Sequence, residues 1–159
     1  MPRKKIEKKP TKELTESYAI RINDWQAGYS FYSNFEKVWG EGLLSDHLTI
    51  EIAGEAFSPS KIIGKKISVS ICARREYDMQ IIAPDKSDQQ PRAIGYISGR
   101  GPQCNITFFL PFQSLPAIIQ MLHAQKCQGL ILGGTKLNYG QGKIHSVSFV
   151  GEEEFLEGY

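Results

Sequence analysis

Three stretches of this chain alternate apolar and polar residues with a period of two, and this pattern predicts β-strands. They are YAIRIND from Tyr18, LTIEIAGEAF from Leu48 and KISVSICAR from Lys66. Successive side chains of a strand point to opposite faces of the sheet, so each stretch presents one apolar face to a core. A chain with several half-buried strands must fold into a sheet that closes or stacks on itself.

Two further pairs of strand-like stretches are separated by short turn-forming segments. AIGYISG and CNITFFLP flank RGPQ, while LILGGTKL and KIHSVSFVG flank NYGQG. Gly, Pro and Asn favour the tight turns that join neighbouring antiparallel strands. This hairpin spacing predicts a largely antiparallel sheet.

One amphipathic helix is predicted between Ser114 and Gly129, ahead of the final hairpin. Its apolar positions recur with the spacing of one helix face. They are Leu115, Ile118, Ile119 and Leu122. Ser114 is a favourable N-cap residue, and Gly129 is a typical helix end.

Together these elements predict a mainly β protein. The expected fold is an antiparallel β-sandwich or a partly open β-barrel of about seven or eight strands, with one α-helix before the final hairpin. A five-stranded oligonucleotide-binding barrel also carries its helix between the third strand and the last hairpin. Residues 48–151 resemble that barrel in the order of their elements, and the resemblance rests on topology rather than on a motif.

The positive charge of the chain lies mainly near its start. Residues 1–17 hold six basic and three acidic residues, against 13 basic and 14 acidic in the remainder. We predict a disordered basic arm over 1–16, a single β-rich domain over 17–151 and an acidic tail over 152–159. No apolar stretch approaches the roughly 20 residues that cross a membrane, and no apolar run follows the basic start as in a signal peptide. The prediction is a cytoplasmic protein without a membrane partner.

No residue pattern predicts a catalytic, metal or cofactor site. Cys72, Cys104 and Cys127 are widely spaced and form no CxxC motif, so a zinc ribbon and a disulfide framework are both disfavoured. Cys72 and Cys104 lie in strand-like stretches, where we predict small, buried side chains. Asp46 and His47 are adjacent, which excludes the geometry of a hydrolase triad, and a turn is expected there.

Two histidines lie in contexts that could support chemistry. His123 and Cys127 are four residues apart in the predicted helix, so their side chains can meet, yet no third group completes a catalytic set. His145 alternates with Val147 and Phe149 and therefore shares an apolar face. It is predicted to be partly buried and hydrogen-bonded, and it would be the centre of any unrecognised enzyme site.

Two further motifs fail on geometry. GGTKLNYGQGK departs from a phosphate loop because Leu137 and Ile144 stand where Gly and Ser or Thr are needed. Glu51 and Glu55 would be about 13 Å apart on one strand face, whereas glycosidase carboxylates are about 5–9.5 Å apart. No cofactor is predicted.

Aromatic residues are concentrated in the segment that follows the first strand. The segment has no clean period, so we predict a long loop whose rings either cover an open end of the sheet or form a binding surface. The candidate surface consists of Trp25, Tyr29, Phe31, Tyr32, Phe35 and Trp39.

The sequence favours a non-catalytic binding or assembly module, in which these rings contact another protein or a second copy of the chain. The alternative is single-stranded nucleic-acid binding by an oligonucleotide-binding-like barrel, with rings stacking on bases and basic side chains holding phosphates. The near-balanced charge after residue 17 weighs against that alternative. An enzyme with a site around His145 is the third hypothesis. The candidate phosphate contacts are Arg3, Lys4, Lys5, Lys8, Lys9, Arg74 and Arg75.

Overall fold

The computed structural model describes residues 15–33, 44–74 and 93–157. A short 3-10 turn, Phe112–Ser114, precedes helix α1 (Leu115–His123), and helix α2 (Glu152–Glu157) follows the last strand. Neither helix is long and apolar enough to cross a membrane. The described strands are β1 (Thr15–Ser33), β2 (Leu44–Ser58), β3 (Lys66–Arg74), β4 (Gly95–Ser98), β5 (Gln103–Pro111), β6 (Gly129–Thr135) and β7 (Gln141–Val150).

The strands form one closed barrel in the order β1-β2-β3-β5-β4-β7-β6, and the β1–β6 pair completes the ring. This confirms the predicted mainly β fold of about seven strands with a helix before the final hairpin. The structure differs from the prediction in two details. The barrel is closed rather than partly open, and one strand pair, β3–β5, is parallel. β5 pairs with β3 over nine residues, from Lys66 with Gln103 to Arg74 with Pro111, and its other edge pairs with β4.

The barrel interior is filled by the alternating apolar side chains of the strands. Ile50 and Ile52 of β2 and Ile71 of β3 are buried there, as their period predicts. Leu115 and Leu122 of α1 belong to the same core, so the helix covers the end of the barrel at which β5 finishes.

Helix α1 is shorter than its sequence pattern indicates. It ends at His123, because Gln125 adopts a left-handed backbone conformation with φ 55° that a helix cannot continue through. Cys127 is therefore buried beyond the helix, and its predicted helical spacing from His123 is wrong. The Ser114 hydroxyl donates to the Pro111 carbonyl at 2.7 Å instead of capping the helix.

The prediction of a loop in the aromatic segment is wrong as far as Ser33, because β1 continues without interruption to that residue. A β-bulge between Ile22 and Asp24 shifts the alternation by one residue, which explains why the sequence lacked a clean period. Asp46 and His47 likewise lie within β2, opposite Phe31 and Ser30 of β1, and not in a turn.

The acidic residues that follow β7 are helical up to Glu157. Their one buried side chain, Phe155, is 2% exposed and packs with Ala19 and Val150 outside the barrel. The predicted tail thus contains a segment that is docked on the domain.

Candidate functional site

Charged side chains are segregated in this fold. Ranges 56–74 and 93–151 contain no Asp or Glu, so the acidic residues of the described chain lie in β1, β2 and α2. Residues 75–92, outside the described ranges, carry four acidic and three basic residues. The wall formed by β3, β5, β4 and β7, which we call the basic wall, therefore contributes no negative charge. The basic residues of the two acid-free ranges are Lys61, Lys65, Lys66, Arg74, Arg100, Lys126, Lys136 and Lys143.

The strand register aligns outward-facing side chains in rows across the barrel. One row runs from Glu51 of β2 through Ser70, Thr107 and Tyr96 to Lys143 of β7. Its charge changes from negative to positive along the way. The Ser70 hydroxyl donates to the Glu51 carboxylate at 2.7 Å, which fixes this carboxylate at the edge of the basic wall.

Two aromatic side chains are exposed in the centre of the basic wall. Tyr96 of β4 is 59% exposed and Phe109 of β5 is 38% exposed. Phe109 lies two residues beyond Thr107, the direct partner of Tyr96, so the two residues occupy diagonal positions on one face, with Cα atoms about 7–8 Å apart. We call this pair the aromatic platform.

Lys65 joins two turns at the end of the barrel where β3 begins. Its ammonium group donates to the carbonyl oxygens of Gly99 and Gly101, at 3.0 and 2.9 Å. The turn between β2 and β3 is thereby tied to the turn between β4 and β5. Both bonds are made to neutral oxygens, so they hold the turns without an acidic partner.

Arg100 joins the β4–β5 turn to the β6–β7 turn. Its Nε donates to the Tyr139 carbonyl at 2.8 Å. Tyr139 and Gly140 have positive φ angles of 50° and 78°, which place them in the left-handed region of a tight turn. The Tyr139 side chain is 84% exposed, so an aromatic ring projects beside the arginine at this end of the barrel.

A surface depression of about 360 Å³ lies where β1 bends at its bulge. Two carboxylate side chains, Asp24 and Glu51, line it together with Trp25. It lies on the acidic side of the barrel and is unsuited to a phosphate group.

The predicted aromatic surface is divided by the structure. Trp25 is half-buried and packs against the core. Tyr29 and Phe31, 60% and 62% exposed, lie on one face of β1, in the part that pairs with β2 after the β1–β6 pairing has ended. Tyr32 continues β1, while Phe35 and Trp39 lie outside the described residues.

One of the predicted phosphate contacts lies within the described residues. Arg74 ends β3 on the basic wall. The others, Arg3, Lys4, Lys5, Lys8, Lys9 and Arg75, lie outside the described residues.

The histidine singled out for chemistry, His145, occupies a β-bulge of β7. The register with β6 shifts between Gly133 and Gly134, which leaves His145 without a direct cross-strand partner. Its Nδ1 atom is buried and has no hydrogen-bond partner among the described residues. Within those residues no three His, Cys, Asp or Glu side chains lie close enough together to hold a metal ion.

The cysteines should differ in reactivity. Burial raises the pKa of the Cys104 and Cys127 thiols, so little thiolate forms there at neutral pH. Cys72 is only half-buried, so the prediction of a buried side chain is wrong at this position. We expect a thiol reagent to modify Cys72 first in the native protein, and Cys104 and Cys127 only after denaturation, which mass spectrometry of reacted peptides would measure. Equal rates at all three sites would contradict this order.

No family of known proteins, no curated protein and no solved structure matches this chain. Function is therefore argued from the site alone. The sequence analysis did not predict the aromatic platform, although Tyr96 and Phe109 each lie beside a buried strand position. It also missed the long acid-free ranges, which can be read directly from the sequence.

Proposed function

We propose that this protein binds single-stranded nucleic acid on the outer face of β3, β5, β4 and β7. The observation that carries the proposal is the exposure of the Tyr96 and Phe109 rings on a wall without Asp or Glu. Of the two binding functions that the sequence predicts, the geometry favours this one.

The aromatic platform suits stacking with unpaired bases. Every base has a π-face, so stacking on Tyr or Phe tolerates different sequences and contributes about 1–3 kcal/mol per base. Bases in a duplex already stack on one another and do not offer that face. Tyr96 and Phe109 thus favour a single strand over a double helix as ligand.

Cations around the platform supply the attraction for phosphates. Lys143 lies in the same outward row as Tyr96. Lys66 lies farther away, at the start of β3, where it pairs with Gln103 of β5 and with Glu55 of β2. Arg100 and Lys136 lie in the turns at one end of the wall. Phosphate neutralisation by such side chains raises affinity regardless of sequence and weakens as salt increases.

The order of the strands resembles that of an oligonucleotide-binding barrel, which binds its ligand on the face of strands 2 and 3; the wall proposed here shares only β3 with that face. Apart from the β4–β5 hairpin, the described chain has five strands with α1 between the third and the final hairpin, as in an oligonucleotide-binding barrel. The additional hairpin lies between β3 and β7 and carries both rings of the platform. The barrel thus presents extra aromatic surface on this wall.

The test is the affinity of the full chain for labelled single-stranded DNA and RNA at two salt concentrations. We expect salt-dependent binding, and a loss of about tenfold or more in affinity for Tyr96→Ala, because each 1.4 kcal/mol of stacking corresponds to a tenfold change. Fluorescence anisotropy would measure both.

Tyr29→Ala is the matched comparison, because Tyr29 is as exposed as Tyr96 but lies on the β1–β2 hairpin. It should leave the affinity unchanged. A larger loss for Tyr29→Ala than for Tyr96→Ala would move the site to the hairpin. An absence of binding at low salt would remove the nucleic-acid function altogether.

A further inference from the structure

Among the described residues, no strand lies beside one edge of β1 over residues 23–33. β1 pairs with β6 only as far as Arg21, after which the Ile22 N–H donates to the Gln128 carbonyl at 2.9 Å. Beyond that point β1 pairs, within the described parts of the chain, with β2 alone. Alternate N–H and C=O groups along this stretch point away from β2, and such a row is a template for another strand.

This edge lacks the usual protection against strand pairing. Proteins commonly block an exposed edge with lysine, proline or a bulge. Residues 25–33 contain no charged residue and no proline, and the bulge of β1 precedes them. The Asp24 carboxylate accepts the Trp25 N–H at 2.8 Å and marks the start of the neutral stretch.

We propose that two copies of the chain pair through this edge of β1, antiparallel and about a two-fold axis. The β1–β2 hairpins of the two copies would then join in one sheet, which continues into each barrel because β2 also pairs with β3 from Leu48 onward. A two-fold interface must match itself, and a stretch without charges can do so without placing like charges opposite each other.

A two-fold axis at Tyr29 gives a register that suits the side chains. It places Phe31 opposite Ala27 of the second copy and Trp25 opposite Ser33 of the second copy, while Tyr29 lies opposite the Tyr29 of the second copy at the axis. Asp24 falls beyond the end of the paired stretch. A strongly acidic or basic partner strand would find no complementary charge on residues 25–33, which favours a second copy as the occupant.

The test is sedimentation equilibrium of the full chain over a wide range of protein concentration. We expect the mass of two chains at high concentration. Tyr29→Lys places two ammonium groups against each other at the axis and should raise the dissociation constant at least about 100-fold. Leu156→Lys adds the same charge at a position of similar exposure on α2 and should leave the mass unchanged.

Amide hydrogen exchange of the unmodified protein provides a second measurement that needs no variant. Protection of residues 25–33 should rise with protein concentration. A monomer at every concentration would overturn the proposal, as would a dimer that Tyr29→Lys does not weaken. Residues 25–33 could instead be protected in the monomer, to the same extent at every protein concentration. Another segment of the same chain would then cover the edge, and this result would also overturn the proposal.

Discussion

Phe155→Ala is expected to lower the free energy of unfolding by about 3 kcal/mol, because it removes a fully buried ring from a cluster that has few other members. The ring packs with Ala19 and Val150 on the outside of the barrel. Without it, α2 presents only charged residues and the exposed Leu156 to this surface. The helix should then detach.

Three further neighbouring residues help to form the packing site of the Phe155 ring. A Cβ at Gly129 would collide with the ring, so only glycine lets the ring lie directly on β6. Phe57 meets it edge to face with centroids 5.3 Å apart, and the Arg21 guanidinium lies 4.8 Å from the Phe57 centroid. These contacts add aromatic and cation–π attraction to the burial of apolar area.

Chemical denaturation followed by circular dichroism would measure the loss. Leu156→Ala is the control, because Leu156 is 56% exposed on the same helix and should change stability by less than about 0.5 kcal/mol. Similar effects of the two substitutions would contradict the docked position of α2.

Gly95→Ala should destabilise the protein by about 3 kcal/mol and also weaken nucleic-acid binding. An alanine Cβ at this position would collide with the Thr107 carbonyl oxygen and with the Cβ atom of Phe108. Both belong to the neighbouring β5 and cannot rotate away. Since β4 has only four residues, its displacement would open the β4–β5 pair and move Tyr96.

Thermal unfolding and anisotropy on the same samples would measure the two effects together. Gly151→Ala is the matched control, because the nearest atom to its added Cβ is the Lys126 carbonyl oxygen at 3.5 Å, an ordinary contact. Unchanged stability of Gly95→Ala would contradict the close approach of β4 and β5. Suppose the variant loses stability but, at a temperature where it is still folded, keeps the affinity of the unmodified protein. Tyr96 would then not belong to the binding site.

The sequence predicted the core strands because their burial is one-sided. Ile50, Ile52 and Ile71 alternate with polar neighbours, and that period translates directly into an inner and an outer face. Barrel closure could not be predicted in the same way. It depends on Thr15 of β1 meeting Thr135 of β6, a pairing between distant residues that no local pattern encodes.

Each feature that the sequence analysis missed was hidden for a different reason. The strand character of Trp25 to Ser33 was hidden by the bulge after Ile22, since a single extra residue exchanges the faces of everything that follows. The aromatic platform was hidden because Tyr96 and Phe109 become neighbours only through the pairing of β4 with β5. The acid-free composition of 93–151 needed no structure and was obscured because the charge was summed over all the residues after 17.

The bonds of Lys65 and Arg100 to backbone carbonyls have a consequence for the ionic atmosphere of the protein. A salt bridge would cancel the charge of each cation, whereas a carbonyl oxygen carries no formal charge and leaves it intact. The turns are therefore fixed by groups that still attract counterions from solution. A polyanion arriving at this end of the barrel would displace those counterions while the bonds that hold the turns stay in place.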